Sequence, residues 1–288
     1  MNILVTGSNG QLGSELKIIS KGYFDHSFLF TDVDELDITD SQKLLEFFEK
    51  NEIDAVINCA AYTAVDKAEA EKDLAFKINA LAVENLVKAC EEYHAKLVHI
   101  STDYVFNGEY FKPLAEIEKV EPLGVYGLTK REGETIVVNS SIDGIVIRTS
   151  WLYSSFGNNF VKTMLRLGVE RESLGIIYDQ IGTPTYAADL AVAIMNIISS
   201  GKRMDTKGEV YHYSNEGVAS WYDFAKAIFE LADIDCVVNP IETSEYPTPA
   251  SRPHYSVMNK AKIKGDFNIS IPYWRESLEK CIKVLQRY

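Results

Sequence analysis

Ile3-Leu-Val-Thr-Gly7-Ser-Asn-Gly10-Gln-Leu-Gly13 decides the fold. A short apolar run leads into glycines spaced G-x-x-G-x-x-G, and a helix opens behind them. Glycines at a strand exit permit a tight turn and bring the backbone close to a pyrophosphate. The helix that follows, from Gln11 and Leu12 onward, offers free N–H donors and the positive end of its dipole. The pattern alone is weak; its place between strand and helix makes it a dinucleotide-binding signal. Asp32 stands nineteen positions beyond Gly13, at the end of the second apolar run. An acid there accepts hydrogen bonds from the adenosine ribose hydroxyls. It repels a 2′-phosphate, and no arginine lies between Gly13 and Lys50, which leans towards NADH. Lys43 and the helix dipole leave NADPH open. Asp37 and Ile38 are placed to cap the adenine. Ala60, Ala61, Tyr62 and Thr63 end the third run, where small residues let a cofactor lie close to its ribose and pyrophosphate contacts.

Outward from this turn the pattern repeats. Ser27–Phe30, Ala55–Cys59, Leu97–Ile100 and Ile145–Ile147 are short, Val/Ile-rich runs of the kind buried parallel strands require. Helical spacing separates them: Leu44, Leu45, Phe47 and Phe48 in Ser41–Lys50, and Leu74, Ile78, Leu81, Asn85 and Lys88 in the Ala-rich Asp73–Glu92. This alternation predicts an α/β protein, a Rossmann-type doubly wound parallel sheet with helices on both faces. Beyond residue 150 the alternation loosens. Leu174–Tyr178 and Val210–Tyr213 read as strands, and Ala187–Ile198 and Trp221–Ala232 as helices. Tyr246–Pro253 carries three of the eight prolines and reads as an ordered loop. Residues 1–150 are expected to form the dinucleotide domain, rejoined by parts of 174–215. Residues 151–288 are expected to form mainly a smaller C-terminal substrate-binding lobe.

Composition narrows the function classes. With 46% hydrophobic and 25% charged residues, the 288-residue chain has an ordinary globular balance and enough length for a sizeable core. A net charge of −13 opposes nucleic-acid binding, which needs a basic surface. Met1 leads straight into apolar sequence without a signal-peptide pattern, and no run approaches membrane-spanning length, so a cytoplasmic protein is expected. Cys59, Cys90, Cys236 and Cys281 form no C-x-x-C pair and suggest neither zinc nor redox chemistry.

Two further strand ends carry reactive groups. Ser101-Thr-Asp-Tyr-Val-Phe106 follows the fourth run, and Tyr126-Gly-Leu-Thr-Lys130 opens the next helix. The i, i+4 spacing puts Tyr126 and Lys130 on one helical face. A tyrosine titrates near pH ~10, too high for ready proton exchange, and a neighbouring ammonium lowers that value. With Thr102 holding a substrate oxygen, the set suits ketone reduction: hydride from a nicotinamide, proton from Tyr126. Asp103 is read chiefly as a residue that orders its loop.

These motifs resemble the extended short-chain dehydrogenase/reductases and, within them, the dTDP-4-dehydrorhamnose reductase family. The resemblance runs over nearly the whole chain and also rests on Ala61–Glu69, Arg148–Tyr153, Gly157–Phe160, Asp179–Thr185 and the Tyr246–Pro253 loop. It implies reduction of the C4 ketone of dTDP-4-dehydro-L-rhamnose to dTDP-L-rhamnose, for surface polysaccharide synthesis, with NADH or NADPH. It implies catalytic Thr102, Tyr126 and Lys130, and substrate contact from Thr102, Asp103 and Trp151. An acidic protein that binds a nucleotide diphosphate needs local donors, and Asn158, Asn159 and Arg252 are candidates. Trp151 is equally readable as core. Some relatives form dimers bridged by Mg²⁺. Glu15 matches one ligand position, but Tyr186-Ala-Ala-Asp189 supplies fewer acids than that site needs, so no metal is expected and Glu15 reads as a first-turn helix acid. The chain is left as a monomer or homodimer. Two other readings stand beside the reductase. One is a non-catalytic NADP-binding subunit that regulates methionine adenosyltransferase, which has no need of a complete Thr/Tyr/Lys set. The other is a nucleotide-sugar epimerase or dehydratase; a dehydratase carries Asp-Glu where Asp103-Tyr104 follow Thr102 here.

Overall fold

The computed structural model describes residues 1–200 and 208–287. Residues 201–207, inside the 174–215 stretch expected to rejoin the first domain, lie outside the described residues. Six strands build one parallel sheet: β1 (Asn2–Thr6), β2 (Ser27–Phe30), β3 (Ala55–Asn58), β4 (Lys96–Thr102), β5 (Gly144–Thr149) and β6 (Glu209–His212). Their order is β6-β5-β4-β3-β1-β2, and every pairing is parallel. The winding therefore reverses beside β1, and a crevice opens at the carboxyl ends of the strands there.

The period-2 alternation of each strand supplies two apolar layers. Ile3, Val5, Ile57, Val98, Ile145 and Ile147 face α1 (Gln11–Ile19) and the later helix Ala187–Ser199. Leu4, Val56, Leu97 and Val146 face α2 (Ser41–Asn51), α3 (Ala82–Tyr93) and α4 (Val125–Asn139). The strand expected at Val210–Tyr213 is Glu209–His212, and it extends the sheet beside β5.

One expected helix is built differently. Within Asp73–Glu92 the chain forms Lys72–Phe76, then a π-turn over Lys77–Leu81, then α3. The extra residue of a π-turn rotates the stripe that faces the core. Leu74 and Leu81 are consequently exposed, while Ala75, Asn79, Ala80, Val83, Leu86 and Val87 are buried. Small residues at this interface allow the close approach that a stripe of leucines would prevent.

The rest of the chain packs around a third core of Tyr153, Val161, Met164, Phe224, Ile228, Trp274 and Leu278. A two-stranded parallel sheet, Ser173–Ile177 with Val237–Ile241, edges it. Tyr246–Pro253 is irregular, as its prolines require. Among the described residues no helix is long and apolar enough to cross a membrane.

Candidate active site

A cavity of about 850 Å³ lies along the crevice, lined at one end by Gly7, Gly10, Gln11, Leu12 and Gly13 and at the other by Thr102, Asp103, Tyr126 and Trp151. Gly7 has φ +62°, and a Cβ there would lie 2.6 Å from the Ala60 backbone nitrogen. No side chain can take this place, so the loop after β3 closes against the turn. Gly10 caps α1 without a side-chain bond, which leaves the first-turn N–H groups for an anion. Asp32 Oδ2 accepts from the Asn9 backbone at 3.0 Å and thereby ties the end of β2 to the glycine turn. Asp32, Asp37, Ile38, Ala60, Ala61 and Thr63 also line the cavity.

The helix carrying Tyr126 and Lys130 is held at three levels. Its cap residue, Gly124, has no side chain, and Glu69 Oε1 accepts from the Val125 N–H at 2.8 Å instead. Gly127 abuts the turn that follows β4: a Cβ there would fall 2.2 Å from the Tyr104 carbonyl oxygen. This contact sets the Tyr126 ring edge-on to Tyr104, with centroids 5.5 Å apart. Asn79, in the π-turn, donates to Thr129 Oγ1 at 3.1 Å and also holds the Tyr62 backbone. One turn beyond Lys130, Glu134 receives both Nε and Nη2 of Arg148, at 2.8 and 2.7 Å, in a buried ion pair.

Thr102 and Tyr126 line the same cavity, and Thr102 Oγ1 donates to Asp103 Oδ1 at 3.1 Å. Burial pushes the phenol up to about 12, with the Asp103 charge adding to the rise and Thr102 opposing it. The lowering expected from Lys130 is thus not what governs Tyr126 here. The lysine Nζ is turned into the sheet and donates to the Ile100 carbonyl at 2.7 Å. Its own value is pulled down to about 8, chiefly by burial. Burial also raises the Asp103 carboxyl to about 6, against the hydrogen bond that Thr102 donates to it.

The other expected contacts divide. Trp151 lines the cavity with φ +48°, a strained conformation for an indole side chain, and stacks on Trp221 at 3.7 Å and 10°. Asn158 lines it too. Tyr62, Asn159 and Arg252 stand outside the lining. The Tyr62 hydroxyl donates to Glu71. Asn159 caps the helix Phe160–Glu170 and donates to Gln11 Oε1 and the Ser154 carbonyl. Arg252 is engaged bidentately by Asp66 at 3.0 and 2.8 Å. Sequence reasoning passed over Lys77 and Ile78, which the π-turn presents to the cavity, and Leu36, Thr39 and Ser101. Leu36 and Thr39 flank the pair already singled out at 37 and 38.

Glu15 is buried and accepts from Ser154 Oγ at 2.6 Å; Asp189 accepts from Asn215 and Ser277. Hydroxyl and amide donors surround these carboxylates, and burial raises Glu15. Among the described residues no three His, Cys, Asp or Glu side chains group as metal ligands. Glu15 and Asp189 lie near enough for the Asp189 charge to add to the rise in Glu15.

A glycine turn at a parallel-sheet crevice, with tyrosine and lysine one turn apart on α4, defines a nicotinamide-dependent oxidoreductase of the extended short-chain dehydrogenase/reductase class. The family described as "RmlD substrate binding domain" matches residues 1–287, and the chain belongs to it. It is 39% identical to a dTDP-4-dehydrorhamnose reductase of Aggregatibacter actinomycetemcomitans, over 96% of this chain and 97% of that protein. The crystal structure of a dTDP-4-dehydrorhamnose reductase from Clostridium acetobutylicum superposes with a TM-score of 0.94 at 44% identity, covering 99% and 100% of the two chains. A Bacillus anthracis dTDP-4-dehydrorhamnose reductase solved in complex with NADP superposes with 0.92 at 39% identity, covering 98% and 99%.

Proposed function

We propose that the protein reduces the C4 ketone of dTDP-4-dehydro-L-rhamnose to give dTDP-L-rhamnose in the cytoplasm, with Tyr126 as proton donor. The observation that carries the reading is the meeting of Thr102 and Tyr126 at one end of a cavity whose other end is an uncapped helix N-terminus. The relatives named above support the substrate. The glycine turn, Asp32, Asp37 and Ile38 would hold the adenosine diphosphate half of the cofactor, and Ala60, Ala61 and Thr63 its middle. When bound, the nicotinamide supplies hydride to C4.

This chain's residues do the rest. Thr102 and Tyr126 hydrogen-bond the ketone oxygen. As C4 gains the hydride, the oxygen takes the phenolic proton and becomes the hydroxyl. Lys130, one helical turn away, stabilises the tyrosinate left behind. Trp151 offers an aromatic face to the sugar, and Asp103 orients Thr102. Asn159 and Arg252 act by fixing the loops they tie. Residues 1–150 with β6 bind the cofactor, and the later lobe completes the sugar-nucleotide site. NADPH is the first cofactor to assay, because the Bacillus anthracis relative holds NADP, with NADH beside it because Asp32 stands where a 2′-phosphate would approach.

The test is nicotinamide oxidation with the 4-keto sugar nucleotide. Consumption should require the sugar, whereas an epimerase would show no net consumption. Tyr126→Phe should keep cofactor binding and lose at least about a hundredfold in kcat. Near-normal turnover by that variant would remove Tyr126 from the proton step.

A further inference from the structure

A line of buried polar groups runs across the sheet and ends at the lysine. Thr6, Asn58 and His99 sit side by side on β1, β3 and β4, paired in register. Thr6 Oγ1 donates to Asn58 Oδ1 at 2.7 Å, and the Ala60 N–H donates to the same oxygen at 3.2 Å. A backbone N–H can only donate, so the Asn58 carbonyl must face it. The amide nitrogen is left to donate to His99 Nδ1, 3.0 Å away. His99 Nδ1 is therefore an acceptor, and the ring's proton sits on Nε2. A second proton on Nδ1 would confront the Asn58 amide hydrogens, so the ring stays neutral. Burial and the Lys130 charge act in the same direction and hold His99 well below the usual histidine range.

Nε2 faces Lys130 Nζ at 3.5 Å. An N–H edge turned towards an ammonium repels it, and turned towards a neutral amine it donates a hydrogen bond. We propose that His99 is a positioning residue for Lys130: Asn58 dictates its tautomer, and its Nε2–H edge holds Nζ against the Ile100 carbonyl and makes the ammonium release its proton more readily. The other titratable groups acting on Lys130 are Glu134, one turn away on its own helix, and Cys59 beyond β3. Glu134 is occupied by Arg148. The Cys59 thiol is pushed up to about 12 and stays neutral. The asparagine–histidine pair is thus the neutral dipole aimed at Nζ from the sheet.

The functional consequence rests on the reductase reading, but the titration does not. The experiment is 13C NMR of lysine-Cε-labelled protein, with the Lys130 signal assigned by Lys130→Arg and followed against pH. His99→Phe should raise the Lys130 midpoint by about one pH unit. Asn58→Asp, whose carboxylate can only accept, forces the proton onto Nδ1 and turns the Nε2 lone pair to Nζ. It should raise the midpoint as well, and in the His99→Phe background most of that rise should vanish. The alkaline limb of kcat should move with the midpoint. An unchanged midpoint in folded His99→Phe overturns the proposal. Should that variant not fold, an unchanged midpoint in Asn58→Asp overturns it. A rise from Asn58→Asp that persists in the double variant also overturns it, since charge alone would then be acting. Absence of turnover in the wild type, with the titration as expected, would count against the reductase reading and leave His99 in place.

Discussion

Asp103 shows how one buried carboxyl can link chemistry to stability. Its side chain has almost no contact with solvent, and burial lifts its carboxyl from 3.8 to about 6. The fold thus prefers the protonated form. The stability this group offers is complete below about pH 4 and declines as pH rises through 6, by about 3 kcal/mol in all. Asp103→Asn removes the charge while keeping the size. Thermal melts should show the variant more stable than the parent at pH 8 and equal to it near pH 4. Its turnover should be lower, because Thr102 loses a charged partner at 3.1 Å. Equal stability gaps at both pH values would mean that the carboxyl is neutralised by other means. The carboxyl is retained against a stability cost, as expected of a group kept for function.

At the scale of elements, α4 is the piece whose placement decides the site. Glu69 holds its first turn, Asn79 its second and Arg148 its third. The Arg148–Glu134 pair is almost fully buried. Removing one partner leaves an uncompensated charge, so Arg148→Leu should lose about 3–5 kcal/mol in urea titration. Arg148→Leu with Glu134→Leu should regain most of that loss; a double variant no better than the single would show that the arginine matters mainly to packing or to His212, which lies 3.4 Å from Nη1. Much of this element was legible beforehand. Tyr126 and Lys130 announce themselves by spacing, and the glycine turn by its place after β1. The supports were not legible as supports: Glu69 and Arg148 fall in stretches that carry the resemblance, but nothing local shows that they and Asn79 meet α4. The π-turn was equally hidden: its extra residue leaves hydropathy spacing almost unchanged while turning Leu74 and Ile78 towards the cavity. Arg252 shows another limit of local reading. Its charge in a quiet loop suggested a diphosphate donor, and nothing local shows that Asp66, 186 positions away, lies in space beside it.

At the scale of the molecule, the question is what ties the proline-rich loop of the later chain to the segment that follows β3. Asp66 follows β3, next to Val65 in the cavity lining, and Arg252 belongs to the proline-rich loop of the later chain. The guanidinium also donates to Thr248 Oγ1 and the Ala250 carbonyl, and the Ala250 N–H returns to Asp66. One planar fork thus folds the loop on itself and fastens it to the segment after β3, while Asp66 is held below the usual carboxylate range by Arg252. If the proposed sugar nucleotide binds against this loop, a loop fastened in advance loses less freedom on binding. Arg252→Ala should therefore raise the KM for the sugar nucleotide about fivefold or more, with cofactor affinity unchanged, and should open Tyr246–Pro253 to limited proteolysis. Arg252→Lys should not rescue it, because an ammonium cannot make the two parallel bonds. Asp66→Asn should act in the same direction, and the double variant should be little worse than either single one. If the guanidinium instead leaves Asp66 to grip the diphosphate, Asp66→Asn should leave KM unchanged or lower it by freeing the arginine. The sign of that one effect separates a fastened loop from a ligand held in reserve.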